Sequence, residues 1–246
     1  EWLYGKEVKQ ELCYFIREDH AITEIDKTNF AEGLIYMNLT QQGGEGEEML
    51  LPTNLFLTVL ASFGFGKISK RIISNLSSIN IISGLSNPAM MSYAKEALGD
   101  ARKKAFIINM LKKGDTSISD LELIELDEGI DFEKQKKSLL LVSKKDFLGD
   151  SSHGTFSFEK YESEGTRKLF ELSPYIYEAV KEGRPLVIDE FDARFHPMLT
   201  KRIVQLFNSE ENRQTQFIFV THDTSLLSNN LLRRDQIEFV EKDKEG

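Results

Sequence analysis

The sequence predicts an α/β protein, with a layered domain built on a mostly parallel sheet and a further region of helices and antiparallel strands. Apolar strand patterns and helical periods alternate from residue 161 to about residue 240, which is typical of a layered α/β domain. Before that point, strand-like and helical patterns occur in separate blocks, which predicts the further region. The chain has 246 residues and 40% hydrophobic content, enough to bury a core in one large or two small domains.

Composition excludes several kinds of protein. A single cysteine, Cys13, leaves no internal disulfide and no multi-cysteine metal site. No apolar stretch is long enough to span a bilayer, and no basic-then-apolar leader begins the sequence, so we expect a cytoplasmic protein without a membrane partner. The net charge of −9 argues against a globally basic nucleic-acid-binding surface. Basic residues at 67–71 and 102–104 leave a local DNA groove open, although solvated helix faces are the simpler explanation.

The amino-terminal part is predicted to begin with a small sheet and to continue with helices. Alternating runs such as "ELCYFIRE" predict antiparallel strands from residue 1 to about residue 40. A polar, Gly-rich loop is predicted at 41–49. Helical periods then run from about 52 to 113, and Pro52 is predicted to open the first of these helices.

Two further patterns complete this part of the chain. The stretch "NPAMMSYAKEALGDARKKAFIINMLKKG" predicts one helix, with Asn87 as its N-cap, Pro88 at its first position and Gly114 at its end. The stretches "DLELIEL", "SLLLVSK" and "TFSFEKY" predict strands between about 118 and 160. We therefore assign 1–160 to β strands plus a helical region.

Residues 161–246 are predicted to form the carboxyl-side half of an α/β core. The predicted elements alternate in type: a helix after 163, a strand at 185–189, a helix at 197–208, a strand at 216–221, a helix from about 224 and a strand at 236–240. Strand-like patterns lie close to both ends of the sequence, which has no initiating methionine. We therefore expect it to be an excerpt of a longer protein.

The stretch "RPLVIDEFDARFHP" gives the strongest indication of chemistry. Leu186, Val187 and Ile188 are apolar without alternation, as expected for a strand buried on both faces. Asp189 and Glu190 follow at its carboxyl end, where open parallel sheets bind ligands, and neighbouring residues on a strand point to opposite sides. One carboxylate is therefore suited to hold Mg²⁺ through water, and the other to polarise a water that attacks a phosphate. The alternative is a strand that ends in solvent with two acids.

Two further segments place polar groups near the same edge. In "FIFVTHD", an apolar strand ends in Thr221, His222 and Asp223, and His222 is suited to donate a hydrogen bond to a terminal phosphate oxygen. In "ESEGTRKLFEL", Ser163 is predicted to cap a helix whose first turn includes Gly165. A helix N-terminus of this kind attracts phosphate. A surface histidine and an ordinary helix cap are the alternatives.

In this order, "SEGT", "LVIDEFDARFHP" and "FVTHD" resemble the signature motif, the Walker B motif with its following loop, and the H-loop of ABC-type ATPase heads. The nearest resemblance is to the RecF/SMC-like group of prokaryotic AAA-type ATPases, which includes the ATPase domain of the OLD family. It covers about 161–240, and the first 160 residues more loosely resemble the region that such ATPases insert. The resemblance implies a P-loop NTPase fold (ABC ATPase-like) that binds ATP and Mg²⁺.

The resemblance also implies roles for single residues of the two strand ends. Asp189 would be the Mg²⁺-associated acid, acting through water. Glu190 would be the catalytic base, and His222 would be a catalytic residue that contacts the γ-phosphate. His196 stands where many relatives carry an aspartate in the loop after Walker B.

The helix start is implied to act on a second copy of the protein. By the resemblance, Ser163, Gly165 and Thr166 would contact ATP that is held by another protomer. This arrangement implies a homodimer, or a higher oligomer, with ATP sandwiched between its subunits.

One motif of the family is missing from this sequence. Such ATPases need GxxxxGK[ST], whose backbone amides and lysine hold the β- and γ-phosphates. The nearest candidate, "ASFGFGKIS", has Ala61 at the first glycine position and Ile68 in place of serine or threonine, and it lies within a helical pattern. We expect the Walker A motif to lie outside these 246 residues, so that this chain alone binds ATP poorly.

The implied function is that of an ATPase whose dimer closes on ATP and opens after hydrolysis at Glu190. Proteins of this group often act in DNA repair or antiphage defence with DNA or a partner nuclease, and we expect such a role here. Two alternatives stay open. One is the ATPase portion of an OLD-type ATPase-nuclease that continues past residue 246, and the other is a non-hydrolysing scaffold that binds a partner.

Overall fold

The structure, a computed structural model, describes most of the chain. The described residues are 2–7, 10–18, 21–42, 53–64, 66–85, 87–114, 117–126, 137–145, 153–210, 212 and 215–241. Pro52 and residues 43–49 of the predicted loop lie outside them. The chain divides into two compact units, Glu1–Ser78 and Ile79–Gly246. The predicted division at residue 160 follows the position of the family's motifs, and it stays a prediction.

The first unit combines a small sheet with helices. Its described strands are β1 (Trp2–Glu7), β2 (Gln10–Glu18) and β3 (Ala21–Ile25), and its described helices are α1 (Ala31–Gln42), α2 (Phe56–Ser62) and α3 (Lys67–Ser77). The strands form an antiparallel sheet in the order β1–β2–β3, which confirms the predicted sheet for the described residues up to Ile25. Phe15, Phe30 and Phe56 are fully buried around one another and form the centre of this unit's core.

Helix α1 corrects the prediction that strands continue to about residue 40. The apolar residues of this segment lie on both sides of the helix, since Tyr36 is buried whereas Ile35 and Leu39 are exposed. A helix without one apolar face has no visible 3.6-residue period, so the sequence pattern did not reveal it.

The second unit contains the predicted parallel sheet. Its described strands are β4 (Asn80–Ser83), β5 (Ile118–Leu126), β6 (Lys137–Lys145), β7 (His153–Ser157), β8 (Leu186–Asp189) and β9 (Phe217–Phe219). Its described helices are α4 (Pro88–Ala97), α5 (Ala101–Gly114), α6 (Phe158–Tyr161), α7 (Glu164–Glu182) and α8 (Pro197–Phe207). Strands β4, β8 and β9 pair in parallel in the order β4–β8–β9, and β5–β6–β7 form an antiparallel sheet. The predicted mixed α/β architecture is confirmed.

Strand β4 was not predicted, because its four residues fall in the zone with helical patterning. Another correction concerns 87–114, where the structure has two helices in place of one. The chain turns at Leu98–Asp100, and the Asp100 carboxylate accepts the backbone N–H groups of Arg102 and Lys103, which starts α5. Asn87 as N-cap and Gly114 as the last helical residue are confirmed. The residues "FEKY", predicted as strand, form α6.

The carboxyl-terminal predictions are wrong in two places. The helix expected from about 224 is a single 3₁₀ turn, Thr224–Leu226. Residues 236–240 were predicted as a strand but do not form one. A 3₁₀ turn at Arg234–Gln236 precedes a tail without regular secondary structure at 237–241. Phe239 and Val240 in this tail are exposed. The alternating pattern therefore has no neighbouring strand with which to pair among the described residues.

Strand β8 is buried on one face only. Leu186 and Ile188 are fully buried against the helices, as predicted, whereas Val187 is half-buried. Its in-register neighbours on β4 and β9, Ile81 and Ile218, are exposed. The expectation of burial on both faces is therefore wrong for the described residues. Within the described part of the chain, no helix has the length and apolarity needed to cross a membrane.

A buried carboxylate fixes α7 within the second unit. Glu178, 3% exposed, accepts hydrogen bonds from Asn80 Nδ2 at 3.1 Å, Lys103 Nζ at 2.8 Å and the Tyr93 hydroxyl. Arg184 adds an ion pair at 3.3 Å. Burial alone would raise the pKa of Glu178, but the hydrogen bonds from Lys103, Tyr93 and Asn80 outweigh it and hold the pKa below its usual value of 4.5.

Candidate active site

The carboxyl end of β8 lies between two parallel neighbours. Ser83 of β4 stands beside Asp189, and Ile188 pairs with Phe219 of β9, so the three strands end at one edge. The Asp189 side chain is exposed there, and its Oδ1 accepts the N–H of Glu190 at 2.9 Å. The structure thus brings the predicted acid pair and the predicted histidine strand to the same edge, as the sequence indicated.

Glu190 is the first residue of a turn and not the last residue of the strand. Its φ of 48° lies in the left-handed region, which costs energy for a residue with a side chain and is often found at functional sites. Its side chain is exposed. The prediction that Asp189 and Glu190 point to opposite faces of a strand is therefore wrong, because strand alternation ends at Asp189.

Gly84 supports this turn and was missed by the sequence analysis. Its N–H donates to the Asp189 carbonyl at 2.5 Å. A Cβ at this position would lie 2.1 Å from the Glu190 carbonyl oxygen, so only glycine fits without moving the turn. A glycine directly after a strand is the signal that could have identified it, but β4 itself had not been recognised.

Asp192 connects the loop after β8 to the histidine segment. Its Oδ1 accepts the Thr221 hydroxyl at 2.7 Å and the N–H of His222 at 3.1 Å. Burial would raise the pKa of Asp192, but these hydrogen bonds more than offset it, so its pKa lies below the usual range and the group is ionised at neutral pH. The His222 side chain is exposed at this edge. Asp192 thereby fixes where His222 stands relative to Glu190.

The start of α7 has the predicted cap. The Ser163 hydroxyl accepts the N–H of Thr166 at 3.1 Å, and the two hydroxyl oxygens lie 2.9 Å apart. Ser163 is exposed, whereas Gly165 and Thr166 are half-buried. A Cβ on Gly165 would lie 3.0 Å from the Arg194 carbonyl oxygen, so the absence of a side chain lets α7 approach the loop after β8. The structure thus places the "SEGT" turn against the loop that carries Glu190.

His196 has a structural task in this loop. Its Nδ1 accepts the N–H of Met198 at 3.2 Å and caps α8, in which Pro197 occupies the first position as predicted. Phe191 anchors the other end of the loop, because its ring is fully buried and lies 5.3 Å from that of Phe217 and 5.1 Å from that of Phe219. Both ends of the loop are therefore fixed by groups other than the predicted catalytic residues.

The start of α3, at "GFGKIS", has no room for a phosphate. Glu32 is 6% exposed, and its carboxylate accepts the N–H of Ile68 at 3.0 Å and that of Ser69 at 2.6 Å. These are the amides that a helix N-terminus would offer to an anion, and a second negative charge there would be repelled. The interpretation of this stretch as unrelated to a Walker A motif agrees with this geometry.

We therefore expect Lys67→Ala, in the protein expressed from its complete gene, to leave Mg-ATP turnover within about twofold of the wild-type rate. Lys67 is exposed and would be the phosphate-binding lysine if the stretch were a Walker A motif. Steady-state phosphate release measures the effect, with a thermal melt to verify folding. A loss of ATP binding by tenfold or more would show that α3 binds nucleotide after all.

The basic cluster at 102–104 is largely paired. Lys103 is bonded to buried Glu178, and Lys104 lies 3.3 Å from Asp120. Arg102 is exposed, and its charge interacts favourably with that of Asp100. The interpretation as an ordinary helix face fits this cluster.

The exposed carboxylates at the edge are of the ligand type that Mg²⁺ uses. Among the described residues, no group of three or more His, Cys, Asp and Glu side chains is placed to hold a metal ion. Mg²⁺ commonly uses one or two carboxylates together with waters and substrate phosphates. The exposed Asp189 carboxylate fits that pattern, since the remaining ligands would come from water and nucleotide.

A model of a known family matches the sequence. The model of the family described as "AAA domain, putative AbiEii toxin, Type IV TA system" matches residues 66–228, more than half of the chain. The matched region includes β4, the start of α7, the end of β8 and the Thr221–His222 segment. No curated protein matches the sequence.

Proposed function

Because the chain belongs to this family of AAA domains, we propose that it is the ATP-binding and ATP-hydrolysing part of an ABC-type ATPase subunit. The observation that carries the proposal is the shared edge of β8 and β9. There, Asp189 and Glu190 are exposed, the N–H of Phe191 donates to the Val220 carbonyl, and the N–H of exposed His222 donates to ionised Asp192. Phosphoryl transfer depends mainly on positioning and on electrostatic stabilisation, and this edge supplies charged groups on a fixed backbone.

In this proposal, each residue of the edge has one task. Asp189 holds Mg²⁺ through water, and the bound ion would neutralise charge on the phosphates. Glu190 orients the attacking water and accepts its proton as the bond to the terminal phosphate breaks. His222 donates a hydrogen bond to a terminal phosphate oxygen. The strained backbone of Glu190 supports its role, since such strain persists where the surroundings fix a functional side chain.

The capped start of α7 is proposed to bind the nucleotide of a second protomer. Ser163 is exposed, and the hydroxyl and amides of this turn with Gly165 and Thr166 suit a phosphate. ATP would then be shared between two copies of the protein, as in the RecF/SMC/OLD-like ATPases that the motifs resemble. The dimer would close on ATP and open after hydrolysis.

The wider role is proposed from the same resemblance. ATPases of this group act in DNA repair or antiphage defence together with an effector, such as a nuclease, or with DNA. The description of the matched family names a toxin and a type IV TA system, which supports a partner-dependent role. No residue of this chain is assigned to the effector or to DNA.

The proposal is tested with the protein expressed from its complete gene, since no GxxxxGK[ST] motif occurs in the present sequence. We expect Mg-ATP turnover, and we expect ATP to shift the mass measured by light scattering from monomer to dimer. EDTA should abolish turnover, because the carboxylate edge acts through Mg²⁺. Absence of both turnover and an ATP-dependent dimer would favour the non-hydrolysing scaffold.

A further inference from the structure

A buried lysine contacts the backbone of the loop after β8. Lys168, in the second turn of α7, is 1% exposed. Its Nζ donates to the carbonyl oxygens of Glu190 at 3.4 Å, Phe191 at 2.9 Å and Ala193 at 2.5 Å. An ammonium group has three N–H donors, so all three are used on this loop. The same atom lies 4.3 Å from the centre of the Phe195 ring.

The charge of this lysine is expensive to bury. Burial lowers the pKa of Lys168 to about 8, although nearby Asp192 and Glu190 favour the ammonium form, as does Glu171, whereas Arg194 opposes it. A methionine or leucine would fill the same space without this cost, because buried ionic groups are often less favourable than apolar packing. The lysine therefore needs an explanation other than the stability of the core.

The loop that it holds is strained at two places. Glu190 has a φ of 48° and Arg194 a φ of 65°, and neither residue is a glycine. Such a backbone persists only where the surrounding structure fixes it. Lys168 bonds to carbonyls between these two residues, and Gly165 packs against the Arg194 carbonyl one turn earlier on the same helix. The first two turns of α7 therefore hold the conformation of the loop.

We propose that Lys168 is a positioning residue for ATP hydrolysis, one that holds the 190–193 backbone so that the Glu190 carboxylate stands in its working place. This inference rests on the proposed function and adds to it a coupling within one protomer. The helix whose start is proposed to contact the partner's nucleotide is bonded directly to the loop that carries this protomer's base. A shift of α7 when the dimer closes would thus move Glu190.

The expected result in the complete-gene protein is a lower kcat at nearly constant KM. Lys168→Met replaces the side chain with an unbranched apolar one that is one atom shorter, and it removes the three N–H donors. We expect kcat to fall by about 10- to 100-fold, because displacing a catalytic group by about 1 Å costs rates of that order. KM for ATP should change by less than about threefold, since Lys168 contacts backbone carbonyls and not the proposed phosphate-binding groups. Lys168→Arg keeps the charge but not the geometry, and we expect its kcat to fall by more than threefold but by less than the kcat of Lys168→Met.

Lys103→Met is the matched control. Lys103 is also a mostly buried lysine, and it is bonded to Glu178 on the same helix but not to the loop. We expect this variant to lower the melting temperature and to leave kcat unchanged. In the Glu190→Gln background, Lys168→Met should change the residual single-turnover rate by less than about twofold, because a residue that acts through Glu190 has no effect once that carboxylate is gone.

Several outcomes would overturn the inference. The inference is wrong if Lys168→Met has the wild-type kcat. It is also wrong if Lys103→Met loses as much kcat as Lys168→Met, since that result would indicate general destabilisation. If Lys168→Met does not fold, Lys168→Arg replaces it, and kcat within threefold of wild type in that variant also overturns the role. If Glu190→Gln loses turnover while the Lys168 variants keep the wild-type rate, the role of Lys168 is rejected and the proposed function stands. A wild type without turnover rejects the proposed function and the inference with it.

Discussion

Glu190→Gln, in the protein expressed from its complete gene, is expected to lower Mg-ATP turnover by about 10²- to 10⁴-fold, the usual contribution of a general base. Glutamine keeps the size of glutamate but does not accept a proton at neutral pH. The contacts of residue 190 with Gly84 and Lys168 involve its backbone carbonyl, so the loop is expected to keep its conformation. Phosphate release at saturating ATP is the measurement.

The same variant should accumulate an ATP-bound dimer, because binding and closure do not need the carboxylate. Light scattering with and without Mg-ATP detects this species. Glu182→Gln is the control, since Glu182 is an exposed carboxylate at the far end of α7 and should not affect turnover. Unchanged turnover in Glu190→Gln would mean that the two acids are only the end of a strand in solvent.

The second large effect is on stability, at the buried carboxylate of α7. Glu178→Ala is expected to lower the free energy of unfolding by about 3 kcal/mol, because removing one partner of a buried ion pair leaves the others without compensation. Lys103, Asn80 and Tyr93 all lose their shared acceptor. This value lies at the low end of the range because Arg184 is about half exposed and Lys103 is not completely buried. Urea unfolding, monitored by circular dichroism, measures the difference.

The pH dependence of the stability lost in Glu178→Ala identifies the electrostatic origin of that loss. The pKa of Glu178 is lower in the folded protein than its ordinary value of 4.5. Its stabilising contribution is therefore present above that pH and is lost as the pH falls through the folded pKa. The difference between wild type and Glu178→Ala should shrink in acid. Glu182→Ala, which removes an exposed carboxylate 3.7 Å from Arg184, should cost less than about 0.5 kcal/mol. An equal loss for both variants, or a loss independent of pH, would contradict this account.

The features that the sequence predicted correctly depend on contacts within a few residues. Asn87, Ser163 and Pro197 start helices because a cap needs only an acceptor or a fixed φ at the right offset. The apolar run at 186–188 predicted a strand for the same local reason. Its place beside the Thr221–His222 segment followed from the rule that parallel strands of an α/β core end at one edge.

The predictions that failed depended on neighbours far along the chain. The "NIIS" stretch is a strand because β8 pairs with it, more than a hundred residues later. The "IEFV" stretch has the alternation of a strand, but no described strand lies beside it. The pattern of a short apolar run does not show whether the run will form a strand, because a strand needs a neighbouring strand with which to pair.

The sequence by itself determined the chemistry at the edge: two acids after an apolar strand, a histidine after the next, and a serine cap at a helix start. The tertiary structure alone decided how these groups are held. Gly84, Asp192 and Lys168 act through backbone atoms or side chains of distant segments, and the turn at Glu190 replaced the strand geometry expected there. The physical reason is that a cap or an apolar run is satisfied locally, whereas a strained loop is fixed by packing and hydrogen bonds that exist only after the chain has folded.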